Sequence, residues 1–206
     1  MKFPENYPAV LPVMEQFYTI QGEGAYTGTA AYFIRLAGCD VGCVWCDVKE
    51  SWEVTPQQWM PVEDIVAEAA KYPGKTIVIT GGEPLMYDLT LLTEKLHEAG
   101  IRIHIETSGA YPLSGDIDWI CVSPKKFKAP LPSVCSAAHE LKIIVFNKSD
   151  FDWAEKYAEM VKPDCQLFIQ PEWEKRTTVE PLMIDYVKNN PQWRMSVQTH
   201  KYLDIP

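Results

Sequence analysis

Long apolar runs are absent from the sequence. No uninterrupted hydrophobic stretch among its 206 residues approaches the roughly 20 that a membrane-spanning helix requires. The first residues, Met1 to Pro8, also lack the basic and then apolar layout of a secretion signal. From these two absences we expect a soluble, cytoplasmic chain that makes no membrane contact.

Positive charge is scarce as well. Lysine and arginine together number 19 against 28 aspartates and glutamates, which gives a formal net charge of −9 at pH 7. Because proteins attract nucleic acid mainly through clustered basic side chains, this balance predicts no nucleic-acid partner. A small substrate held in a locally basic pocket remains compatible with it.

Internal repeats, low-complexity tracts and linkers are also missing. The composition, 47% hydrophobic and 23% charged, is that of a chain that can bury a core. We therefore expect a single domain over residues 1–206. Residues 126–136, which are punctuated by prolines, are predicted to form a mobile loop.

Apolar runs typical of strands alternate along the chain with amphipathic stretches typical of helices. This order predicts an α/β fold with a parallel sheet, which binds its ligands outside the carboxyl ends of the strands. The elements are too few for a closed eight-fold barrel, so we expect an incomplete, splayed barrel of about six parallel strands with few helices. Strands are predicted at 31–37, 76–80, 101–106, 118–123, 140–146, 166–170 and 194–198, and helices at 61–70, 89–99, 152–161 and 178–189.

Cysteine is sparse, but three of the six cysteines fall within eight residues, at Cys39, Cys43 and Cys46. A four-iron cluster takes four thiolates, so three of them leave one iron open to a ligand that chelates through an amine and a carboxylate, as S-adenosylmethionine does. The spacing alone also allows half of a zinc site completed by a distant residue, or a disulfide with an odd thiol. The remaining cysteines, Cys121, Cys135 and Cys165, are predicted to fill the core.

Other polar or glycine-rich positions fall at strand ends. Gly81 and Gly82 follow a buried strand and precede Glu83, which makes a place where a ligand can touch the backbone. The glycines on either side of Glu23 permit either such an approach or a plain turn. Arg35 interrupts an apolar strand, and a lone arginine there either reaches out to water or anchors an anion.

The cysteine triplet and the Gly-Gly-Glu-Pro run at 81–84 together resemble the radical S-adenosylmethionine superfamily. Within it, five further blocks are similar to the 7-carboxy-7-deazaguanine synthase family. The resemblance extends from about residue 14 to the last residue. The five blocks lie at 20–24, 33–35, 106–109, 122–125 and 198–206.

The resemblance implies a lyase that contracts the ring of 6-carboxy-5,6,7,8-tetrahydropterin to 7-carboxy-7-deazaguanine and releases ammonia. This reaction belongs to the biosynthesis of queuosine and other 7-deazapurines. The implied cofactors are a [4Fe-4S] cluster and S-adenosylmethionine, which carry the difficult chemistry. The implied partners are the pterin substrate, an electron donor such as flavodoxin or ferredoxin, and a second copy of the chain in a homodimer.

The resemblance also assigns roles to individual residues. Cys39, Cys43 and Cys46 would bind the cluster, and Arg35 would pair with the substrate carboxylate. Contacts with S-adenosylmethionine would come from Trp45, Cys46, Asp47, Gly82, Glu83, Glu106, Ser123, Pro124, Lys125, Gln170, Pro171 and Glu172. Contacts with the substrate would come from Ile20, Gln21, Gly22, Arg35, Thr80, His200 and Pro206.

One position departs from the family pattern. The family commonly has a threonine two residues after the third cysteine, where its hydroxyl helps to hold Mg²⁺, and this chain has Val48. Magnesium would then rest on substrate and water, or on Asp47 or Ser51. Two other functions stay open: an activase that makes a glycyl radical on a partner protein, and a non-catalytic iron–sulfur or zinc module.

Overall fold

In the computed structural model, residues 9–206 are described, and the segment Met1 to Pro8, where we expected no secretion signal, lies outside them. The described residues form one sheet of nine strands. The strands are β1 (Val10–Ile20), β2 (Ala30–Leu36), β3 (Trp59–Pro61), β4 (Thr76–Gly81), β5 (Arg102–Thr107), β6 (Trp119–Val122), β7 (Glu140–Val145), β8 (Gln166–Pro171) and β9 (Trp193–Met195).

The sheet is open and mostly parallel. Its strand order is β3-β1-β2-β4-β5-β6-β7-β8-β9, so β3 and β9 form the two edges. The strands from β2 to β9 in this order pair in parallel, whereas β1 pairs antiparallel with both β2 and β3. The prediction of an incomplete α/β barrel is therefore confirmed, with β1 and β3 as additions that the sequence did not reveal.

Six helices accompany the sheet among residues 9–206, and four of them match the predicted helices. None of the six is long and apolar enough to cross a membrane. The helices are α1 (Val62–Ala69), α2 (Thr90–Glu98), α3 (Pro132–Ala137), α4 (Asp150–Ala158), α5 (Arg176–Asn189) and α6 (Thr199–Leu203).

Two predicted segments were wrong in part. The predicted mobile loop at 126–136 contains the start of α3, because Pro132 supplies a fixed φ at the first helical position and Val134 and Cys135 are buried. The last predicted strand, 194–198, ends at Met195. Beyond it, Ser196 N donates to Ile169 O at 2.9 Å, and the Ser196 hydroxyl donates to Gln170 Oε1 at 2.7 Å and accepts from Gly24 N at 2.9 Å.

The two faces of the sheet differ in chemistry, because successive side chains of a strand point to opposite sides. The β-branched run of β4, for example, buries Ile77 and Ile79 completely in the core. The core residues of the other central strands follow the same alternation; they include Ile34, Leu36, Ile103, Ile105, Leu141, Ile143 and Ile169. Between them stand polar residues of the inner face, which include Arg35, Thr80, Glu106, Glu140, Lys142 and Gln170.

The cysteines outside the triplet are buried in the structure, as predicted. All six cysteines of the chain are free thiols, so the disulfide alternative does not describe this structure. The triplet itself lies in the loop directly after β2, at the carboxyl end of the parallel strands.

Candidate active site

A cavity of about 300 Å³ opens at the carboxyl ends of the strands, and the cysteine triplet lines it. Every predicted site residue except Pro124 also lines this cavity; Pro124 is buried beside it. The structure thus brings together residues that are up to 186 positions apart in the chain, from Ile20 to Pro206. The predicted residues of the lining are Ile20, Gln21, Gly22, Arg35, Cys39, Cys43, Trp45, Cys46, Asp47, Thr80, Gly82, Glu83, Glu106, Ser123, Lys125, Gln170, Pro171, Glu172, His200 and Pro206.

The loop that carries the triplet is fastened to the end of β4. Gly82 N donates to Leu36 O at 2.8 Å, and Glu83 N donates to Gly38 O at 2.9 Å. A Cβ atom on Gly82 would stand 2.2 Å from Gly38 O and 2.8 Å from Cys39 Cβ. Only glycine allows the two backbones to approach this closely, which explains the glycine at that strand end.

The three thiols form a donor set at the cavity wall. Burial raises the pKa of Cys43 to about 11, although the nearby Lys125 ammonium favours the thiolate, and burial also raises the pKa of Cys39. Thiolates are the forms that bind metal, so iron bound here would displace protons from these thiols. Three free thiols at one wall of a cavity suit a four-iron cluster whose remaining iron faces that cavity.

Within residues 9–206, no three His, Cys, Asp or Glu side chains converge closely enough to hold a single metal ion. A four-iron cluster makes a different demand, because each thiolate binds its own iron. The residues that are present therefore fit the cluster.

Two carboxylates that the resemblance assigns to S-adenosylmethionine accept hydrogen bonds from groups of the protein itself. Glu83, which is 1% exposed, accepts from Leu85 N at 3.1 Å, from Ser108 N at 2.8 Å, and from the hydroxyls of Thr107 and Ser108. Glu172 accepts from the backbone N–H groups that follow it, including that of Lys175 at 3.0 Å. Both side chains line the cavity, and their hydrogen bonds fix the ends of β4 and β8.

The sequence did not reveal a buried ion triad on the inner face. Lys142 Nζ lies 2.5 Å from Glu23 Oε2 and 2.6 Å from Glu106 Oε2, and the lysine side chain is 3% exposed. Gln198 Nε2 donates to Glu23 Oε1 at 2.9 Å, and Gln21 Nε2 donates to Glu106 Oε1 at 3.1 Å. We call Glu23, Glu106 and Lys142 the buried triad; one sequence signal for it was a lysine and a glutamate two residues apart in the apolar strand β7.

The contacts within the triad shift the pKa of Glu23 and of Lys142. Burial alone would raise the pKa of Glu23, but the charge and hydrogen bond of Lys142 and a hydrogen bond from Gln198 lower it to about 2. Burial opposes the charge of Lys142, yet Glu106 and Glu23 hold its pKa well above the usual value. Glu140, behind the triad, has a pKa that burial raises and Lys142 partly restores.

The C-terminal tail closes one side of the cavity. Thr199 donates to Gly22 O through both its N–H and its hydroxyl, each at 2.9 Å. A Cβ on Gly22 would stand 2.2 Å from His200 Nδ1, so this glycine lets the histidine pack against the backbone. Lys201 Nζ pairs with Asp47 Oδ2 at 3.1 Å and joins the tail to the cysteine loop.

Arg35 lines the cavity opposite Thr80 in the register of β2 and β4. Its Nε donates to Glu15 Oε1 at 2.6 Å, a partner that the sequence did not predict. A guanidinium carries five N–H donors, and this contact uses Nε, so Glu15 orients the group without exhausting it.

At the departure from the family pattern, Val48 lines the cavity and offers no side-chain oxygen. The two neighbours that could replace a threonine are already engaged. Asp47 pairs with Lys201, and the buried Ser51 donates its hydroxyl to Val48 O at 2.7 Å. These contacts leave Oδ1 of Asp47 and the lone pairs of the Ser51 hydroxyl as oxygen acceptors.

Comparison with known proteins identifies the family. The model of the radical SAM superfamily matches residues 33–121. The chain is 57% identical to a 7-carboxy-7-deazaguanine synthase of Flavobacterium psychrophilum, over 96% of this chain and 93% of the relative. The chain belongs to the 7-carboxy-7-deazaguanine synthase family. A relative of the same name from Synechocystis is 47% identical over 94% of this chain and 93% of its own length.

A solved structure of the family supports the same assignment. The crystal structure of QueE from Escherichia coli has a TM-score of 0.82 and 32% sequence identity to this chain, and the match covers 92% of this chain and 94% of that one. Membership implies an enzyme with a [4Fe-4S] cluster and S-adenosylmethionine. It does not favour the activase or the non-catalytic module.

Proposed function

We propose that this chain is a carbon–nitrogen lyase that converts 6-carboxy-5,6,7,8-tetrahydropterin to 7-carboxy-7-deazaguanine with release of ammonia, in the biosynthesis of queuosine or another 7-deazapurine. One observation carries the proposal. The cysteine loop and the blocks similar to the family's substrate-binding segments line the same cavity, although the chain separates them widely. The family names of the relatives support the same product.

When bound, the cluster and S-adenosylmethionine supply a carbon radical that removes a hydrogen atom from the substrate. Cys39, Cys43 and Cys46 hold the cluster. Lys125, whose Nζ lies 5.6 Å from the centroid of the Trp45 ring, supports the cofactor side. Its ammonium also donates to Ser123 O at 2.9 Å, which fixes the carboxyl end of β6.

On the substrate side, Arg35 pairs with the carboxylate of the pterin acid. Glu15 holds the guanidinium from behind, so that the group is oriented before the substrate arrives. The tail, joined to Gly22 through Thr199, brings His200 and Pro206 to the cavity and limits access of water. Such preorganisation lowers the entropy that binding must remove.

We also propose Mg²⁺ as a cofactor, held by substrate and water, or by a neighbour such as Asp47 or Ser51. Hard cations keep water ligands readily, so the loss of a threonine hydroxyl at Val48 is tolerable. Turnover after chelation, measured with and without added Mg²⁺, tests this point. Equal rates would remove the metal from the reaction.

The remaining features follow the family. The chain forms a single catalytic domain, pairs as a homodimer in the cytoplasm and takes electrons from a flavodoxin or ferredoxin. Cross-linking or light scattering of the purified protein tests the dimer, and a monomer at micromolar concentration would contradict it.

The decisive assay uses protein reconstituted with iron and sulfide without oxygen. With dithionite, S-adenosylmethionine and the pterin acid, we expect both 5′-deoxyadenosine and 7-carboxy-7-deazaguanine by mass spectrometry. 5′-Deoxyadenosine without the deazaguanine would contradict the proposed reaction, and absence of both would contradict radical chemistry at this site.

A further inference from the structure

Lys142 is a charged side chain buried in the middle of the inner face, and none of the roles proposed above uses it. It lies on β7 between Glu140, which is also buried, and Ile144, and both Lys142 and Ile144 line the cavity. Burying an ammonium group is unfavourable unless it is paired and hydrogen-bonded, so its position requires an explanation.

Lys142 and two glutamine amides together hold two carboxylates at both oxygens. Glu23 is held by Lys142 at Oε2 and by Gln198 at Oε1, and Glu106 is held by Lys142 at Oε2 and by Gln21 at Oε1. These five residues come from four separate parts of the chain. The carboxylates therefore depend on Lys142 for their common orientation.

The buried triad holds two carboxylates for one ammonium. Lys142 neutralises only one of them, and the Lys125 ammonium is a further cation that acts on Glu106. Glu23 and Glu106 both line the cavity, and a carboxylate offers about four acceptor sites, more than the two contacts that each makes here. Both carboxylates therefore have acceptor capacity left for a ligand in that cavity.

We propose that Lys142 is a positioning residue that aims the carboxylates of Glu23 and Glu106 into the cavity as acceptors for N–H groups of the substrate heterocycle. This inference rests on the proposed function, which supplies an aminopterin ring rich in N–H donors. The family resemblance assigns Glu106 to S-adenosylmethionine, but Gln21, which it assigns to the substrate, donates to Glu106, so that carboxylate also borders the substrate space. Removing the ammonium leaves two carboxylates that repel each other and turn apart.

The test compares Lys142→Met with Lys188→Met. Lys188 is 72% exposed and lies 4.0 Å from Asp185, so its substitution serves as the matched control for a lost lysine charge. The dissociation constant of the pterin acid is measured by anaerobic calorimetry on reconstituted protein without S-adenosylmethionine, so that no turnover occurs. KM and kcat are then measured with the cofactor present.

For Lys142→Met we expect a dissociation constant and a KM raised at least about tenfold, the loss expected for charge-assisted hydrogen bonds, with kcat within about threefold of the wild type. Iron and sulfide contents should match those of Lys188→Met. A dissociation constant within about twofold of the wild type would overturn the inference.

A second variant separates positioning from stability. Lys142→Met combined with Glu23→Gln removes one positive and one negative charge. The triad then keeps the net charge of the wild type and has no pair of repelling carboxylates, so the melting temperature should rise above that of Lys142→Met, toward that of the wild type. We expect its affinity for the pterin acid to stay at least about tenfold below that of Glu23→Gln. Recovery of affinity together with the melting temperature would assign Lys142 to charge balance only and overturn the proposal.

The double variant also decides the question if Lys142→Met alone does not fold. Failure of the two proposals can be told apart. Wild-type protein that neither binds the pterin acid nor converts it overturns the proposed function and this inference with it. Wild-type protein that does both, beside unaltered Lys142 variants, overturns the inference alone.

Discussion

The inner face of the sheet carries the polar residues of the cavity, and the opposite, outer face carries the apolar core. The two faces are built from the same strands but are stabilised differently. On β7, Ile143 packs into the apolar core with no exposed surface, and its neighbour Lys142 points the other way into an ion triad. The outer face gains stability from burial of apolar area, while the inner face holds charges that need partners to remain buried. The contrast implies that substitutions of adjacent residues in one strand should have different effects. A substitution on the outer face should lower stability, and one on the inner face should lower ligand affinity.

The largest expected effect is at the cysteine loop. Cys43→Ala should remove the iron and sulfide of the reconstituted protein and lower turnover by at least about a thousandfold, because the cofactors carry the chemistry. Cys135→Ala is the control, since Cys135 is buried in α3 and lies outside the cavity lining. Normal iron content in Cys43→Ala would refute the assignment of this loop.

The contrast between the faces is tested next with Ile143→Ala. Removal of a fully buried isoleucine should lower the free energy of unfolding by about 2–5 kcal/mol, as measured in urea. Affinity of the folded protein for the pterin acid should change by less than about threefold, because the side chain points away from the cavity. A large loss of affinity without loss of stability would break the distinction between the faces.

The next prediction concerns Gly82, where the end of β4 contacts the cysteine loop. Its Cβ would meet Gly38 O and Cys39 Cβ at 2.2 and 2.8 Å, so the cysteine loop must move. Gly82→Ala should weaken S-adenosylmethionine binding by about 10-fold to 100-fold, measured by calorimetry.

Gly100→Ala is the control for Gly82→Ala. Gly100 has φ +69° and nothing within 4 Å of an added Cβ, so it should lose only about 1–2 kcal/mol of stability. Equal cofactor affinity in the two variants would show that the close approach at Gly82 is dispensable.

The smallest effect concerns pH. The pKa of Glu23, about 2 in the folded protein, lies below its ordinary value of 4.5, so the unfolded chain binds the proton first as pH falls. The stability that Glu23 contributes is therefore complete above about pH 4.5 and is lost as the pH falls through 2. Glu23→Gln should flatten the dependence of unfolding free energy on pH in this window.

The comparison for this prediction is Glu159→Gln, because Glu159 is exposed at the end of α4. Its pH dependence should follow that of the wild type. If Glu23→Gln also follows the wild type between pH 5 and 2, Glu23 is not held as a carboxylate by Lys142.

The sequence predicted the cysteine loop and the parallel strands because their signals are local. The spacing of three cysteines and the β-branched run before Gly81 can be read within a few residues. The strand β1 escaped because a register shift between Val13 and Glu15 interrupts its alternation, and β3 is only three residues long. Both strands lie at one side of the sheet and pair antiparallel, so the alternation of strands and helices that predicts the parallel strands does not predict them.

The buried triad escaped for a different reason. Lys142 meets Glu23 and Glu106 across sequence separations of 119 and 36 residues, so the contact exists only once the strand order and register are known. Lys142 also lies in a strand that the resemblance did not cover with a motif. Glu15, the partner of Arg35, was missed with β1, because it faces Arg35 in the register of β1 and β2.

The central claim is that one cavity on the inner face joins the cluster, S-adenosylmethionine and the pterin acid. An anaerobic crystal structure of the reconstituted protein with both ligands tests it most directly. We expect the cluster on Cys39, Cys43 and Cys46, and the pterin between Arg35 and the carboxylates of Glu23 and Glu106. Density for the pterin outside this cavity, or a metal whose ligands are all protein side chains, would contradict the account.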